Sequence, residues 1–306
     1  MGAAAPAALS TGVMSPQDAA RIAAENGLQP IGVRPSLRGY LRALRQRRQF
    51  THVLASSKAY AENQGTYLGQ LWSILTPTMN ALVYVMIFGL LLKTNRGVEN
   101  VIGFIVVGVF VYRLFDEGVN TAGRSIPTNG NLVRALQFPR VVLPTAGIFS
   151  KYLGQLPSML VMLAFVLLSR FVPRNVPVPV SWRWLLLPVA ILLLLGFTLG
   201  VGYVFARICA GVPDLLNFFP FVFRILMYAS GVIFPINHYV HNAALERVLE
   251  YQPVALYLDL ARQSVLHEPS IPLMWSKWLL ALAWSVGVLL VGFVFFWRAE
   301  ARYGRE

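Results

Sequence analysis

The apolar residues of this chain are gathered into six long runs, at residues 72–92, 101–122, 142–169, 185–208, 215–235 and 278–297, instead of being spread at amphipathic spacing. Each run approaches the roughly 20 residues a helix needs to cross a hydrocarbon layer of about 30 Å. Backbone groups in lipid must find their partners inside the segment, so runs of this kind become spanning helices. The pattern predicts an all-α integral membrane protein with six transmembrane helices. Charge is correspondingly scarce, at 13% of residues against about 25% in ordinary soluble domains.

The formal net charge of +13 lies mainly between the apolar runs, where positive-inside sorting accounts for it without a nucleic-acid partner. Ahead of the first run stand Arg21, Arg34, Arg38, Arg42, Arg45, Arg47, Arg48 and Lys58; the turn after it has Lys93 and Arg96, and the segment after the second run has Arg124, Arg134 and Arg140. This bias and an even number of runs place both termini on the cytoplasmic side of the cytoplasmic membrane. Arg170, Arg174 and Arg183 on the expected outer side work against the rule, and Arg298, Arg302 and Arg305 at the C-terminus support it.

Residues 1–34 are Ala-rich and lack the basic start and concentrated apolar core of a signal peptide, so a disordered tail is expected, with a short helix from Ser15-Pro16-Gln17-Asp18 through Asn26. Residues 35–62 form an amphipathic interface region. There SLRGYLRALRQRRQF sets Leu37, Tyr40, Leu41 and Leu44 on one stripe and Arg38, Arg42, Arg45, Arg47 and Arg48 on the other side, the arrangement of a helix lying on an anionic leaflet. Residues 63–306 make up the transmembrane domain.

No lysine follows a glycine, so a phosphate-cradling G-x-x-x-x-G-K-[ST] loop is absent, and any ATP-driven work must come from another chain. The segment between the second and third runs is suited to receive such a partner. Pro127 and Gly130 are placed to break the incoming helix, Asn131 to cap a short new one, and Pro139 to end it. A well-capped turn without a partner fits the same pattern. Cys209 is the single cysteine, and the four scattered histidines give no metal-ligand spacing, so this chain is expected to bind neither metal nor cofactor.

Charges within apolar runs cost roughly 2.5–3.5 kcal/mol each at mid-helix and need partners or a role. Arg113, Asp116 and Glu117 stand at i, i+3 and i+4, a cluster able to neutralise itself. Lys151 has no acid nearby in sequence and is expected to snorkel to a headgroup; Arg224, deeper in its run, could meet a phosphate or a facing carboxylate. Tyr84 with Phe88 and Phe219 with Phe223 are mid-run aromatic pairs able to face sugar rings, though core or lipid packing explains them equally well. Leu245–Tyr251 and Val254–Leu266 are helix-like but too short to cross, and are expected to be re-entrant or interfacial on the outer side. Gly196 and Gly200, a small-xxx-small pair, are expected to serve packing within the subunit.

Leu68-Gly69-Gln70-Leu71-Trp72, Leu75-Thr76-Pro77 and Phe88-Gly89, followed by Asn131-Leu132-Val133-Arg134 and Phe138-Pro139-Arg140, resemble the ABC-2 type polysaccharide and polyol-phosphate export permeases. Pro213-Asp214-Leu215-Leu216-Asn217, the Gly231–Pro235 stretch, Gln252-Pro253, Arg262, Phe296-Trp297-Arg298 and Tyr303-Gly304-Arg305 continue the likeness in order, from about residue 35 to the end. The resemblance implies a six-helix homodimeric permease with a central channel and two copies of a cytoplasmic ATPase subunit. ATP and Mg would be held by the ATPase, and a lipid-linked glycan would move outward.

Under the same resemblance Asn129–Phe138 is the coupling helix, with Asn129, Asn131, Leu132, Val133, Arg134, Phe138 and Arg140 as coupling residues. Ser36–Phe50 is the interface helix with Arg38, Arg42, Arg45 and Arg48, residues 242–274 are outer re-entrant helices, and Tyr84, Phe88, Phe219, Phe223 and Arg224 line the path. Lys58–Gly65 and Asp116-Glu117 depart from the family pattern. The likeness is nearest the actinobacterial branch that exports lipid-linked galactan, with O-antigen and teichoic acid exporters close by. A drug or small-lipid permease, an ion-driven transporter and a membrane-embedded lipid-glycan-modifying enzyme are the competing classes; the last would need paired carboxylates or a metal cluster at a membrane face.

Overall fold

The computed structural model describes residues 18, 21–22, 36–62, 64–87, 97–135, 138–172, 176–239, 242–301 and 303. Among these, every regular element is helical: α1 (Leu37–Gln46), α2 (Arg48–Ala61), α3 (Leu71–Tyr84), α4 (Val101–Arg124), α5 (Gly130–Ala135), α6 (Val142–Leu168), α7 (Leu186–Gly211), α8 (Leu215–Ala229), α9 (Ile236–Tyr239), α10 (Ala243–Tyr251), α11 (Pro253–Val265) and α12 (Trp275–Arg298). Asp18, Arg21 and Ile22 are helical, in keeping with a short helix in the tail; the rest of residues 1–34 lies outside the described residues, as do Phe88, Gly89, Lys93, Arg96, Arg174, Arg302, Gly304 and Arg305.

The interface segment is two helices where one was expected. Arg47 leaves helical geometry between α1 and α2, and α2 turns to pack along α6. Among the described residues, three stretches are long and apolar enough to cross a membrane by length and composition, Val142–Phe171, Trp182–Gly211 and Trp275–Arg298. Within the described residues the first and fifth runs hold the apolar helices Leu71–Ile87 and Leu215–Ala229, and residues 88–92 of the first run lie outside them. The second run forms the 24-residue α4, whose sequence carries Arg113, Asp116, Glu117 and Arg124.

α4 is the central element, with 17 of its 24 residues buried, so it is enclosed on all sides over its first three turns. α6, α7, α11, α3 and α8 pack around it, and α12 lies along α7. Lipid tails are as apolar as leucine, so such packing depends on close approach more than on exclusion of water. Gly200 and Gly292 provide it: a Cβ on Gly292 would fall 2.1 Å from the Gly200 carbonyl oxygen, and one on Gly200 would fall 2.4 Å from the Val288 backbone. The small-residue pattern therefore serves contact within the subunit.

Both ends of α4 are fixed by polar contacts. At its start, Asn100 Oδ1 accepts from Gly103 N at 2.8 Å, and Glu268 accepts from the backbone N–H groups of Glu99 (2.8 Å) and Asn100 (2.7 Å). At the same end Arg262, from α11, donates to the carbonyls of Gly231 and Val232 at 2.9 Å each and reaches that of Phe104 at 3.3 Å. The two short helices expected from Leu245–Tyr251 and Val254–Leu266 appear as α10 and α11, with α11 buried against α7 and α4. At its far end α4 runs into a 3-10 turn, Pro127–Asn129, then α5.

Candidate functional site

Beyond the far end of α4 a second apolar cluster joins segments distant in sequence: Tyr40 of α1, Ile126, Val133 and Phe138 of the α4–α6 connection, Val141 to Leu143 at the start of α6, Tyr203 and Ala206 of α7, and Phe296, Ala299 and Tyr303 at the C-terminal end. The α4–α6 connection is therefore a seated element. Val133 and Phe138 point inward, the Phe138 ring meeting Phe50 of α2 edge-on at 5.7 Å. Leu132 is half-buried against the same cluster.

The hydrogen bonds of this connection differ from the expected cap. Asn131 does not start the short helix; α5 begins at Gly130, with Asn131 in its first turn and exposed. The Asn129 side chain instead turns back and donates to the Ser125 carbonyl at 2.7 Å, taking up one of the acceptors that every helix C-terminus leaves free. The outward face comprises Pro127, Thr128 and Asn131. Arg134 is helical, with its side chain outside the described residues.

A buried polar node lies beside this cluster. Tyr40 Oη donates to Glu300 Oε2 at 2.8 Å and accepts from Val141 N at 3.2 Å. Arg140 N donates to Glu300 Oε1 at 2.9 Å, and the Arg140 guanidinium donates to the Glu300 carbonyl at 3.0 Å. Burial pushes the Glu300 carboxyl above its ordinary value, against the donors from Arg140 and Tyr40; burial and the adjacent carboxylate push the Tyr40 phenol up as well. Sequence reading placed Tyr40 on an apolar stripe and gave Glu300 no role. The signal available was a single acid among Arg298, Arg302 and Arg305.

A family model described as ABC-2 type transporter matches residues 57–266, more than half of the chain, from the last turns of α2 to the end of α11. The chain belongs to the ABC-2 type transporter family. Among relatives of this ABC-2 transporter chain, the O-antigen export system permease protein RfbA of Myxococcus xanthus is 27% identical over 251 residues, covering 82% of this chain and 92% of that protein. An RfbA permease of Klebsiella pneumoniae is 24% identical over 182 residues, 60% of this chain and 67% of its own length. The polysialic acid transport protein KpsM of Escherichia coli is 23% identical over 199 residues, with 65% and 74% covered.

The remaining sequence-derived residues of this ABC-2 transporter chain fall in three places. On α1 and α2, Arg38, Arg42, Arg45 and Arg48 are all exposed. On α3 and α8, Tyr84 Oη lies 3.9 Å from Met227 Sδ, which joins the two helices named for the path. Phe223, expected on the path, is buried against Phe115, Phe205 and Phe219, so its ring belongs to the core of the chain; Phe219 is half-buried and Arg224 is exposed.

The charges in α4 find partners that sequence spacing gave only in part. Arg113 pairs with Glu117 at 2.6 Å, as the i,i+4 spacing requires. Asp116 accepts from Asn120 at 2.7 Å, and Glu117 also accepts from Gln155 at 2.8 Å. The two adjacent acids are thus tied to separate partners, unlike the paired carboxylates of an acid–base centre. Lys151 corrects its expectation: it does not snorkel but pairs with Glu62, at the end of α2, and lies 3.7 Å from Glu117. The ion pair crosses 89 positions, so no local reading could have found it.

The turn between α2 and α3 explains the Leu68-Gly69 signature locally. Gly69 has φ +49°, a left-handed conformation that side chains disfavour, and Gln70 Nε2 donates back to the Tyr60 carbonyl at 2.6 Å. This closes the turn and aims α3 against α6.

Proposed function

We propose that this chain is the permease subunit of an ATP-driven exporter of a lipid-linked polysaccharide. Two copies would cross the cytoplasmic membrane six times each, with both termini inside, and would work with two copies of a separate ATPase subunit that holds ATP and Mg. The observation that carries this reading is the RfbA relative from Myxococcus xanthus, matched over 92% of its length and named for O-antigen export. Galactan, O-antigen and teichoic acid type glycans are the cargo classes in view.

The geometry supports the same reading. A power stroke from another chain needs a rigid point of attachment, and the α4–α6 connection, seated on Val133 and Phe138 with Thr128 and Asn131 outward, has that character. α4 continues from this connection through the protein, so a displacement at one end is carried to the Arg262 contacts at the other. The exposed arginines of α1 and α2 fit an anionic leaflet. Leu37 and Leu41, exposed on α1, would enter its apolar layer.

The test is co-purification of the full chain with a Walker-motif ATPase, followed by reconstitution with lipid-linked glycan extracted from the host membrane. ATP-dependent movement of that glycan supports the proposal. Hydrolysis stimulated by small apolar drugs and indifferent to glycan would point to a drug or small-lipid permease instead.

A further inference from the structure

Tyr40, Arg140 and Glu300 come from three segments of the chain, 160 positions between Arg140 and Glu300 and 260 between Tyr40 and Glu300, yet they share one buried carboxylate. Tyr40 is 1% exposed and Glu300 4%. Within α1, Tyr40 is the buried residue, and the remainder of the helix is exposed or half-buried. Its hydroxyl is therefore the polar anchor of α1 on the protein body. On the other side of the carboxylate, the donors are the backbone N–H and guanidinium of Arg140, where the α4–α6 connection meets α6.

An amphipathic helix that only rode on a leaflet would need no buried hydroxyl aimed at a carboxylate from the opposite end of the chain. Burying a carboxylate is unfavourable unless its acceptor sites are filled, and here both oxygens are used, Oε2 by Tyr40 and Oε1 by Arg140. We propose that Glu300 is a positioning residue that fastens α1, the α4–α6 connection and the end of α12 into one rigid body, so that a push on the connection moves the membrane-surface helix with it. The proposal rests on the reading that an ATPase acts at this connection, and it adds the device by which that action reaches α1.

The apolar part of the joint is separate from the polar part. The Tyr40 ring packs on Phe293 with centroids 6.0 Å apart, and Tyr203 and Phe296 complete the cluster. Tyr40→Phe keeps the ring contact and removes the two hydrogen bonds, which separates coupling from folding.

The experiment uses the complete permease–ATPase complex in lipid, with Cys209→Ser, Arg38→Cys and Arg124→Cys carrying spin labels; Arg38 and Arg124, the last residue of α4 where the connection begins, are exposed. Label-to-label distance is measured without nucleotide and after trapping with ATP and vanadate, with Glu300 intact, with Tyr40→Phe and with Glu300→Gln. The expected result is one narrow distance shared by both states when the node is intact, and a distance that shifts or broadens on trapping in both variants. In unlabelled complexes, transport of host-extracted lipid-linked glycan per ATP hydrolysed should fall by about ten-fold in Tyr40→Phe while hydrolysis stays within about two-fold, the scale of one lost charge-assisted hydrogen bond.

Equal motion in the intact protein and in Tyr40→Phe would overturn the proposal, as would a parallel fall of hydrolysis, transport and membrane level, which marks a purely structural contact. These outcomes are distinct from failure of the functional reading, which would appear as failure of the unsubstituted chain to assemble with an ATPase.

Discussion

Ser158 Oγ donates to the Ser73 carbonyl at 2.7 Å, across the contact between α6 and α3. Ser73 is the residue four positions before Pro77, which lies inside α3 and has no N–H to give it. A carbonyl left open at membrane depth is unfavourable, and a neighbouring hydroxyl is the usual remedy. Ser158→Ala should lower stability by about 1 kcal/mol, and Pro77→Ala should reduce that loss because the helix then supplies its own donor. Thermal unfolding of the two single variants and the double variant in detergent measures the difference.

Arg262 donates to carbonyls on two other segments and lies 4.0 Å from Asp259. Its guanidinium also stands over the Phe104 ring at 3.4 Å. Removing it strands buried carbonyls, so Arg262→Met should reduce stability by roughly 3–5 kcal/mol. Arg262→Lys should recover little of the loss, since an ammonium lacks the planar fork that reaches several acceptors at once. Fluorescence-detected size exclusion of the purified variants reads both outcomes.

The crossing of α7 and α12 makes a contrasting pair of glycine variants. Gly292→Ala places a methyl 2.1 Å from the Gly200 carbonyl oxygen, whereas a Cβ at Gly287 meets nothing within 4 Å. Forced separation of packed helices costs about 1–3 kcal/mol. Gly292→Ala should therefore lower the unfolding temperature clearly, and Gly287→Ala should leave it unchanged or slightly raised.

The Lys151–Glu62 pair ties the end of α2 to α6, with Glu117 nearby. A double-mutant cycle of Lys151→Met and Glu62→Gln should give a coupling energy of about 0.5–1.5 kcal/mol, above the low values of freely solvated pairs because Lys151 is mostly covered. A coupling near zero would show that α2 is held on α6 by its apolar face alone.

Helix positions were readable in the sequence wherever apolar runs were bounded by punctuation. α10 and α11 fall almost where Leu245–Tyr251 and Val254–Leu266 stood, because Gln252-Pro253 separates them and proline is favoured at the first position of a helix. The extent of the fifth run was less legible. The 215–235 run continues apolar past Ala229, but Gly231 takes φ +66° and the chain turns, which hydropathy alone does not register.

The site was legible only as a region. Pro127, Gly130 and Pro139 marked the α4–α6 connection, and Asn129 to Arg140 were named from motif order. Which of them face outward depends on the cluster beneath, built from Tyr203, Phe296 and Tyr303, and no local pattern contains that information. The same applies to Lys151 and Glu300, whose partners lie 89 and 260 positions away. Phe223 is path-lining only by the family resemblance; its spacing of one turn from Phe219 equally suits the core position it holds.

The most direct test of the account is transport by the reconstituted chain with and without its ATPase, using lipid-linked glycan extracted from the host membrane. The account predicts glycan movement only with the ATPase and ATP present, and its loss when the α4–α6 connection is disrupted by replacing Thr128 and Asn131 with bulky residues. Movement of the glycan by the chain alone, at the rate seen with the ATPase, would contradict it.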